Sequence, residues 1–186
     1  YDTLTCNFSY FENYDITKFD KFTKRTLLQI IPKLFDPLGI FCPIVIEGRY
    51  IFQKIWSQEG KDIGWDYALP SKYNNDIRSW LEKIKQLNYL SISRNIFRFI
   101  PKMINIHTFV DASTCAYAAC VYCQSISDNN IHVEFLLARS RINPLKPLSV
   151  ARLELASCVL GAMLQSEIRE INIFSSANFF FWSDSK

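Results

Sequence analysis

The sequence contains little glycine and histidine, and it has no long apolar run. Of its 186 residues, 5 are Gly and 2 are His, whereas 49% are hydrophobic and 15% are aromatic. This composition excludes a disordered chain and predicts one or two globular domains with a substantial core. Because no apolar run reaches the roughly 18 residues that a membrane helix needs, the sequence predicts no membrane span.

The tripeptide that aspartic peptidases require is also missing. These enzymes need Asp-Thr-Gly or Asp-Ser-Gly, in which the glycine permits a tight active-site loop. Neither tripeptide occurs in this sequence, and Asp111 is followed by Ala112 and Ser113. The sequence therefore predicts that the chain has no aspartic peptidase activity.

The first residues carry no export signal. The chain begins with Tyr1, and no basic segment followed by an apolar segment resembles a signal peptide. At the other end, the strand-like run NFFFW is followed only by SDSK. We therefore expect the chain to be a piece of a longer polypeptide.

Three of the six cysteines are closely spaced. Cys115, Cys120 and Cys123 form the pattern C-x4-C-x2-C, which occurs in part of some iron–sulfur sites. The segment CAYAACVYC has the composition of a strand, however, and residues three apart on a strand point to opposite faces. We therefore expect reduced, mostly buried thiols of an intracellular protein.

Charge is distributed unevenly along the chain. Residues 1–20 have a net charge of −3, residues 21–110 of +7 and residues 111–186 of −1. A basic central region is compatible with a nucleic-acid backbone as partner, and equally with an ordinary solvated helical surface. Charge alone leaves both interpretations open.

The first hundred residues are predicted to be mainly helical after an initial strand or hairpin. A helix is predicted over 21–36, with a kink at Pro32, and the turn Asp-Pro-Leu-Gly at 36–39 follows it. Pro43 suits the first turn of a second helix.

A third helix is predicted to begin with Ser71 as its cap. Its apolar residues recur with the period of an amphipathic helix. Residues 90–100, LSISRNIFRFI, have strand composition and precede a boundary near Pro101.

The pattern changes at residue 103. Three strand-like segments, MINIHTFVD, AYAACVYCQ and IHVEFLLAR, are joined by short connections, and a helix capped by Ser149 and a fourth strand, NFFFWSD, follow them. The order β-β-β-α-β predicts an α/β domain in which the crossover helix returns the fourth strand beside the first and parallel to it.

Two aspartates end strands that are predicted neighbours in this sheet. Asp111 follows the first strand and Asp184 the fourth, so their carboxylates should meet at the edge where open α/β sheets bind ligands. Glu154 lies early in the helix, between Leu153 and Leu155, near the surface that packs on the sheet. Each acid alone is an ordinary turn or surface residue. Together they predict a metal site, because clustered carboxylates repel unless a cation lies between them and all-oxygen ligands favour Mg²⁺ or Mn²⁺.

Several segments resemble one family of proteins. HTFVDASTCAYAACVY, ARSRINPLKPLSVARLELAS and FWSDS resemble the ribonuclease H region of BEL/Pao-type retrotransposon polyproteins, a family that also carries the label Pao retrotransposon peptidase. Upstream, KRTLLQIIPKLFDPLGIFCPIVIEGRYIFQKIW resembles the segment that connects reverse transcriptase to ribonuclease H in these elements. The resemblance covers nearly the whole chain, and FDPLG, DAS and PLSVARLEL are specific as an ordered set.

The resemblance implies three parts of the chain. These are the end of a reverse transcriptase palm at 1–25, a helical thumb or connection segment at 26–102, and a truncated ribonuclease H-like domain at 103–186. The family hydrolyses the RNA strand of RNA–DNA hybrids with two divalent ions, Mg²⁺ or Mn²⁺. By motif match, the catalytic and metal-binding residues are Asp111, Glu154 and Asp184.

Basic residues before the helix are candidates for contacts with nucleic-acid phosphates. They are Arg139, Arg141 and Lys146, and their alternative is plain surface charge. The expected partners are an RNA–DNA hybrid and the remainder of the retroelement polyprotein. The expected location is the cytoplasm, the nucleus or a retroelement particle.

The sequence departs from the family pattern at two points. The family uses a fourth acidic residue from a later helix, and the paired aspartates of reverse transcriptase follow a tyrosine; neither feature is present in this chain. We therefore expect no polymerisation and impaired cleavage. Two alternatives stay open: a non-catalytic nucleic-acid-binding remnant of a retroelement and, more weakly, the aspartic-type peptidase that the family label names.

Overall fold

A computed structural model of the chain shows two compact units. One unit contains Tyr1–Phe35 and Pro43–Arg94, and the other contains Asp36–Cys42 and Asn95–Lys186. No helix in the described ranges is both long enough and apolar enough to cross a membrane. The structure describes residues 3–5, 21–57, 60–87, 91–93, 95–128, 130–146 and 148–184.

Three α-helices account for most of the described part of the first unit. α1 (Lys24–Ile30) begins at a capping box formed with Thr23 and continues as a 3-10 turn, Ile31–Lys33. The predicted kink at Pro32 is therefore a change from α to 3-10 geometry, since proline lacks the N–H that an α-helical bond needs. α2 (Cys42–Ser57) has a proline in its first turn, as predicted.

The core of the first unit is formed largely by one face of α3 (Ser71–Gln86). Ile77, Trp80 and Ile84 on that face are completely buried. The Trp80 indole donates its Nε1–H to a backbone carbonyl of α2 over 2.7 Å, so the buried ring leaves no unpaired donor. The predicted cap is displaced by one residue, because the residue before Ser71, a proline, holds the N-cap position.

A short antiparallel pair, β1 (Thr3–Thr5) and β2 (Ser91–Ser93), also belongs to the first unit. The prediction of a strand over 90–100 is wrong for residues 95–100, which form no ladder. Ile96 and Phe97 instead pack against the core of the second unit, and this burial overrides their strand propensity. The rest of the predicted N-terminal hairpin lies outside the described residues.

The second unit is a four-stranded mixed sheet with a helix packed on one face. The strands have the order β5-β4-β3-β6, in which β3 runs parallel to β6 and antiparallel to β4. The predicted β-β-β-α-β order and parallel return are confirmed. The elements are β3 (Met103–Ala112), β4 (Ala116–Ile126), β5 (Ile131–Ile142), α4 (Val150–Arg169) and β6 (Asn178–Trp182).

Helix α4 lies very close to the sheet. Leu153 and Leu160 face the core and are each 3% exposed, as the sequence predicts. The close approach requires glycine at position 161, because a Cβ there would lie 2.4 Å from Val110 Cγ1 on β3. The contact fixes the height and rotation of the helix over the strand.

A short segment from the helical part of the chain, Asp36–Cys42, belongs to the second unit. The Ala138 N–H of β5 donates to the Leu38 carbonyl over 2.8 Å. The predicted turn at 36–39 is present, and the Asp36 carboxylate accepts hydrogen bonds from two backbone N–H groups that follow it. Gly39 has φ +76°, which favours glycine, and its Cα lies against the backbone of Ala138.

Candidate metal centre

The pairing of β3 with β6 brings Asp111 and Asp184 to the same level of the sheet. Asn105 pairs with Asn178 and Phe109 with Trp182, a constant offset of 73 residues. Asp184 follows Asp111 by the same offset, two residues beyond the last pair. Parallel neighbours with this register present both carboxylates at the C-terminal edge of the sheet.

Side-chain contacts reinforce the pairing just before the two aspartates. Trp182 donates its Nε1–H to His107 Nδ1 over 3.1 Å, and the two rings are stacked with centroids 6.1 Å apart. One level lower, Asn178 Nδ2 donates to Asn105 Oδ1 over 3.1 Å. These contacts were not predicted, because they become visible only when the strand register is known.

Glu154 reaches the same edge from helix α4. It lies in the second turn of the helix, one residue after the buried Leu153, and its side chain is partly buried. Glu154 Oε2 is buried, and it has no hydrogen-bond partner among the described residues. A buried carboxylate oxygen without a hydrogen-bond partner costs free energy, so we expect this atom to bind a ligand.

The three carboxylates form one cluster. One oxygen of each residue lies within 4.8 Å of the others, with Asp111 and Asp184 exposed and Glu154 partly buried. In the described ranges, no basic side chain forms an ion pair with any of them. Asp111 Oδ1 accepts a local hydrogen bond from Ala112 N, 2.7 Å long. An all-oxygen, anionic donor set with an unpartnered buried oxygen fits a hard divalent cation such as Mg²⁺ or Mn²⁺.

The basic residues predicted to contact phosphates have different surroundings. Arg139 donates from both terminal nitrogens to Glu167 of α4, over 2.7 and 2.8 Å. Arg141 and Lys146 are exposed and make no ion pair within the described part of the chain. The charge of Arg139 is therefore partly neutralised, whereas those of Arg141 and Lys146 face solvent.

Two thiols of the second unit, those of Cys120 and Cys123, have raised pKa values. Burial raises the pKa of Cys123 to about 11. Burial also raises the pKa of Cys120, with a smaller contribution from Cys42. Cys123 pairs with Ile106 and Cys120 with Phe109 in the ladder to β3. Protonated thiols are poor metal ligands. The prediction of mostly buried thiols is wrong for the described cysteines, because only Cys123 is buried and the other four are partly exposed.

Comparison with known proteins agrees with this architecture. The family described as "Pao retrotransposon-like RNaseH-like domain" matches residues 23–185 of the chain. No curated protein matches the chain. The sheet order, the crossover helix and the clustered acids are those that the sequence resemblance implies. The chain belongs to the family of Pao retrotransposon-like RNaseH-like domains.

Proposed function

We propose that the second unit is a metal-dependent ribonuclease H that hydrolyses the RNA strand of RNA–DNA hybrids. The observation that carries the proposal is the cluster of Asp111, Glu154 and Asp184 within 4.8 Å, with a buried oxygen of Glu154 left unpartnered. Membership of a retrotransposon RNaseH-like family supports nucleic acid as the substrate class.

The three acids would hold two Mg²⁺ or Mn²⁺ ions. When bound, such ions supply an activated water as nucleophile and stabilise the leaving 3′ oxygen of the phosphodiester. Each carboxylate comes from a separate element: Asp111 lies at the C-terminal end of β3, Asp184 follows β6 and Glu154 projects from α4. Regular elements packed on one core hold ligands with little freedom, as a site with strict geometry requires.

We assign the recognition of the hybrid to shape and phosphate contacts. RNA-containing duplexes are recognised mainly through their backbone and 2′-hydroxyl groups, with little reading of bases. Arg141 and Lys146 are the stronger candidates for phosphate contacts, because Arg139 already donates two hydrogen bonds to Glu167.

The test is hydrolysis of a labelled RNA–DNA hybrid by the full chain in Mg²⁺. The wild type should cleave the RNA strand at the reduced rate that the sequence predicts, and EDTA should stop the reaction. Glu154→Gln should abolish it, since an amide keeps the shape but loses the charge. Glu170→Gln is the matched control, because it makes the same change at the exposed C-terminal end of the same helix. Equal cleavage by wild type and Glu154→Gln would refute the assignment.

A different result would favour a second function. Salt-dependent binding of the hybrid without cleavage in Mg²⁺ or Mn²⁺ would support a non-catalytic nucleic-acid-binding module. The basic stretch at residues 21–110, with its net charge of +7, is the feature that favours this alternative.

A further inference from the structure

We propose that Asn143 is a positioning residue that holds the turn after Asp111 and thereby sets the place of this carboxylate. The inference rests on the proposed metal-dependent function and assigns it a residue outside the acidic cluster. Asn143 is the first residue after β5, and only 8% of its surface is exposed.

The side chain of Asn143 reaches the turn between β3 and β4. Its Nδ2 donates to the carbonyl of Ser113 over 2.9 Å, and Ser113 lies two residues after Asp111. The backbone N–H of Asn143 donates to the carbonyl of Cys115 in the same turn, over 3.0 Å. A residue at the end of β5 therefore binds the turn at two points.

The turn is organised around Ser113. Its N–H donates to the Ala116 carbonyl over 2.8 Å, and its Oγ accepts from the N–H groups of Cys115 and Ala116, each over 3.2 Å. These bonds make the turn a unit, but all of them lie within the turn. Among the contacts described for this turn, the two from Asn143 connect it to the strand on the other side of β4.

The local sequence suits this role. Asn143 precedes Pro144, and the residue before a proline is restricted to extended backbone conformations. The side chain of Asn143 therefore extends from a backbone that is already restricted, so little conformational entropy is lost when its bond to Ser113 forms. The side-chain amide of Asn143 also supplies the N–H donor for the Ser113 carbonyl.

The role is mainly one of position, with a small part in stability. Ser113 is exposed, so water can replace the lost donor when the side chain is removed. The metal site is less tolerant, because ligands must stay within about 0.5 Å of their productive places. Loss of the Asn143 side chain should thus weaken metal binding more than it weakens the fold.

The experiment is calorimetric binding of Mn²⁺ to the full chain, for wild type, Asn143→Ala and Asn74→Ala. Asn143→Ala keeps the backbone bond to Cys115 and removes only the side-chain bond. Asn74 is the matched control in the first unit: it is also 8% exposed, accepts from Phe22 N and donates to the Leu69 carbonyl. Hydrogen exchange of the Ser113 amide is measured in parallel.

We expect Asn143→Ala to lose about tenfold in Mn²⁺ affinity, the lower end of the usual cost for residues that support metal ligands. Its Ser113 amide should exchange faster, and Asn74→Ala should change neither quantity. Unchanged affinity in Asn143→Ala, or an equal loss in Asn74→Ala, would overturn the inference. If the wild type binds no Mn²⁺, the proposed function fails. Hydrogen exchange of the Ser113 amide then still decides whether Asn143 holds the turn. An unchanged exchange rate in Asn143→Ala would overturn this role.

Discussion

Replacement of Gly39 by alanine should destabilise the second unit strongly, although the residue lies in a stretch predicted to be a connection. Gly39 has φ +76°, and an added Cβ would lie 1.8 Å from the carbonyl oxygen of Ala138 and 2.5 Å from its carbonyl carbon. Backbone atoms of a paired strand cannot move aside cheaply. The substitution therefore forces Asp36–Cys42 away from β5.

The expected cost follows from two terms. A left-handed conformation costs a residue with a Cβ about 1–2 kcal/mol. Separation of the segment from β5 also loses the hydrogen bond from Ala138 N to the Leu38 carbonyl, with a net value of about 0.5–1.5 kcal/mol. Together these terms predict a loss of about 1.5–3.5 kcal/mol in the free energy of unfolding.

The assay is urea unfolding followed by hydrogen exchange of the amides of β5 and α4, so that the second unit is observed by itself. Gly64→Ala, in the first unit, is the control, because the three atoms nearest to an added Cβ there belong to the exposed ring of Tyr67 and not to the backbone. Its effect should stay within about 0.5 kcal/mol. A Gly39→Ala variant as stable as wild type would show that Asp36–Cys42 does not pack against β5.

Three further predictions concern other parts of the chain. Lys24→Met should lower the free energy of unfolding of the first unit by about 1–3 kcal/mol, as measured by urea titration. The reason is that the buried ammonium of Lys24 donates to two backbone carbonyls and lies 4.1 Å from the Trp56 ring centroid. An unchanged urea midpoint would contradict this prediction. The pKa of Cys123 is raised to about 11, from an ordinary 9.0. The contribution of this thiol to stability is therefore complete below pH 9 and is lost as the pH rises toward 11. Between pH 9 and pH 11, the melting temperature of Cys123→Ala should fall less than that of the wild type. Arg141→Ala should weaken salt-dependent hybrid binding more than Arg139→Ala, since Arg139 is paired with Glu167; equal losses in a fluorescence titration would contradict the assignment.

The positions of the two aspartates were predictable because they follow from topology. Once three strands, a helix and a fourth strand are recognised, the handedness of the crossover brings the ends of the first and fourth strands together. Asp111 and Asp184 lie at those ends. Glu154 was predictable from the apolar period of its helix, because Leu153 beside it had to face the sheet.

Other features depend on contacts between residues distant in sequence. The pairing of Leu38 with Ala138 joins positions a hundred residues apart, and no local pattern indicates it. The strand predicted over 90–100 was wrong for residues 95–100, because Phe97 packs against the core of the second unit. Asn143 before a proline looks like an ordinary turn residue, and only its bond to Ser113 distinguishes it.

The most direct test of the account is calorimetric binding of Mg²⁺ to the full chain and to Asp111→Asn. Asp128→Asn is the matched control, since Asp128 lies in the turn after β4 and forms an ion pair with Lys102. If the three carboxylates form a metal centre, wild type and Asp128→Asn bind Mg²⁺ and Asp111→Asn, although folded, loses that binding. Equal binding by all three proteins, or binding by none of them, would contradict the metal centre.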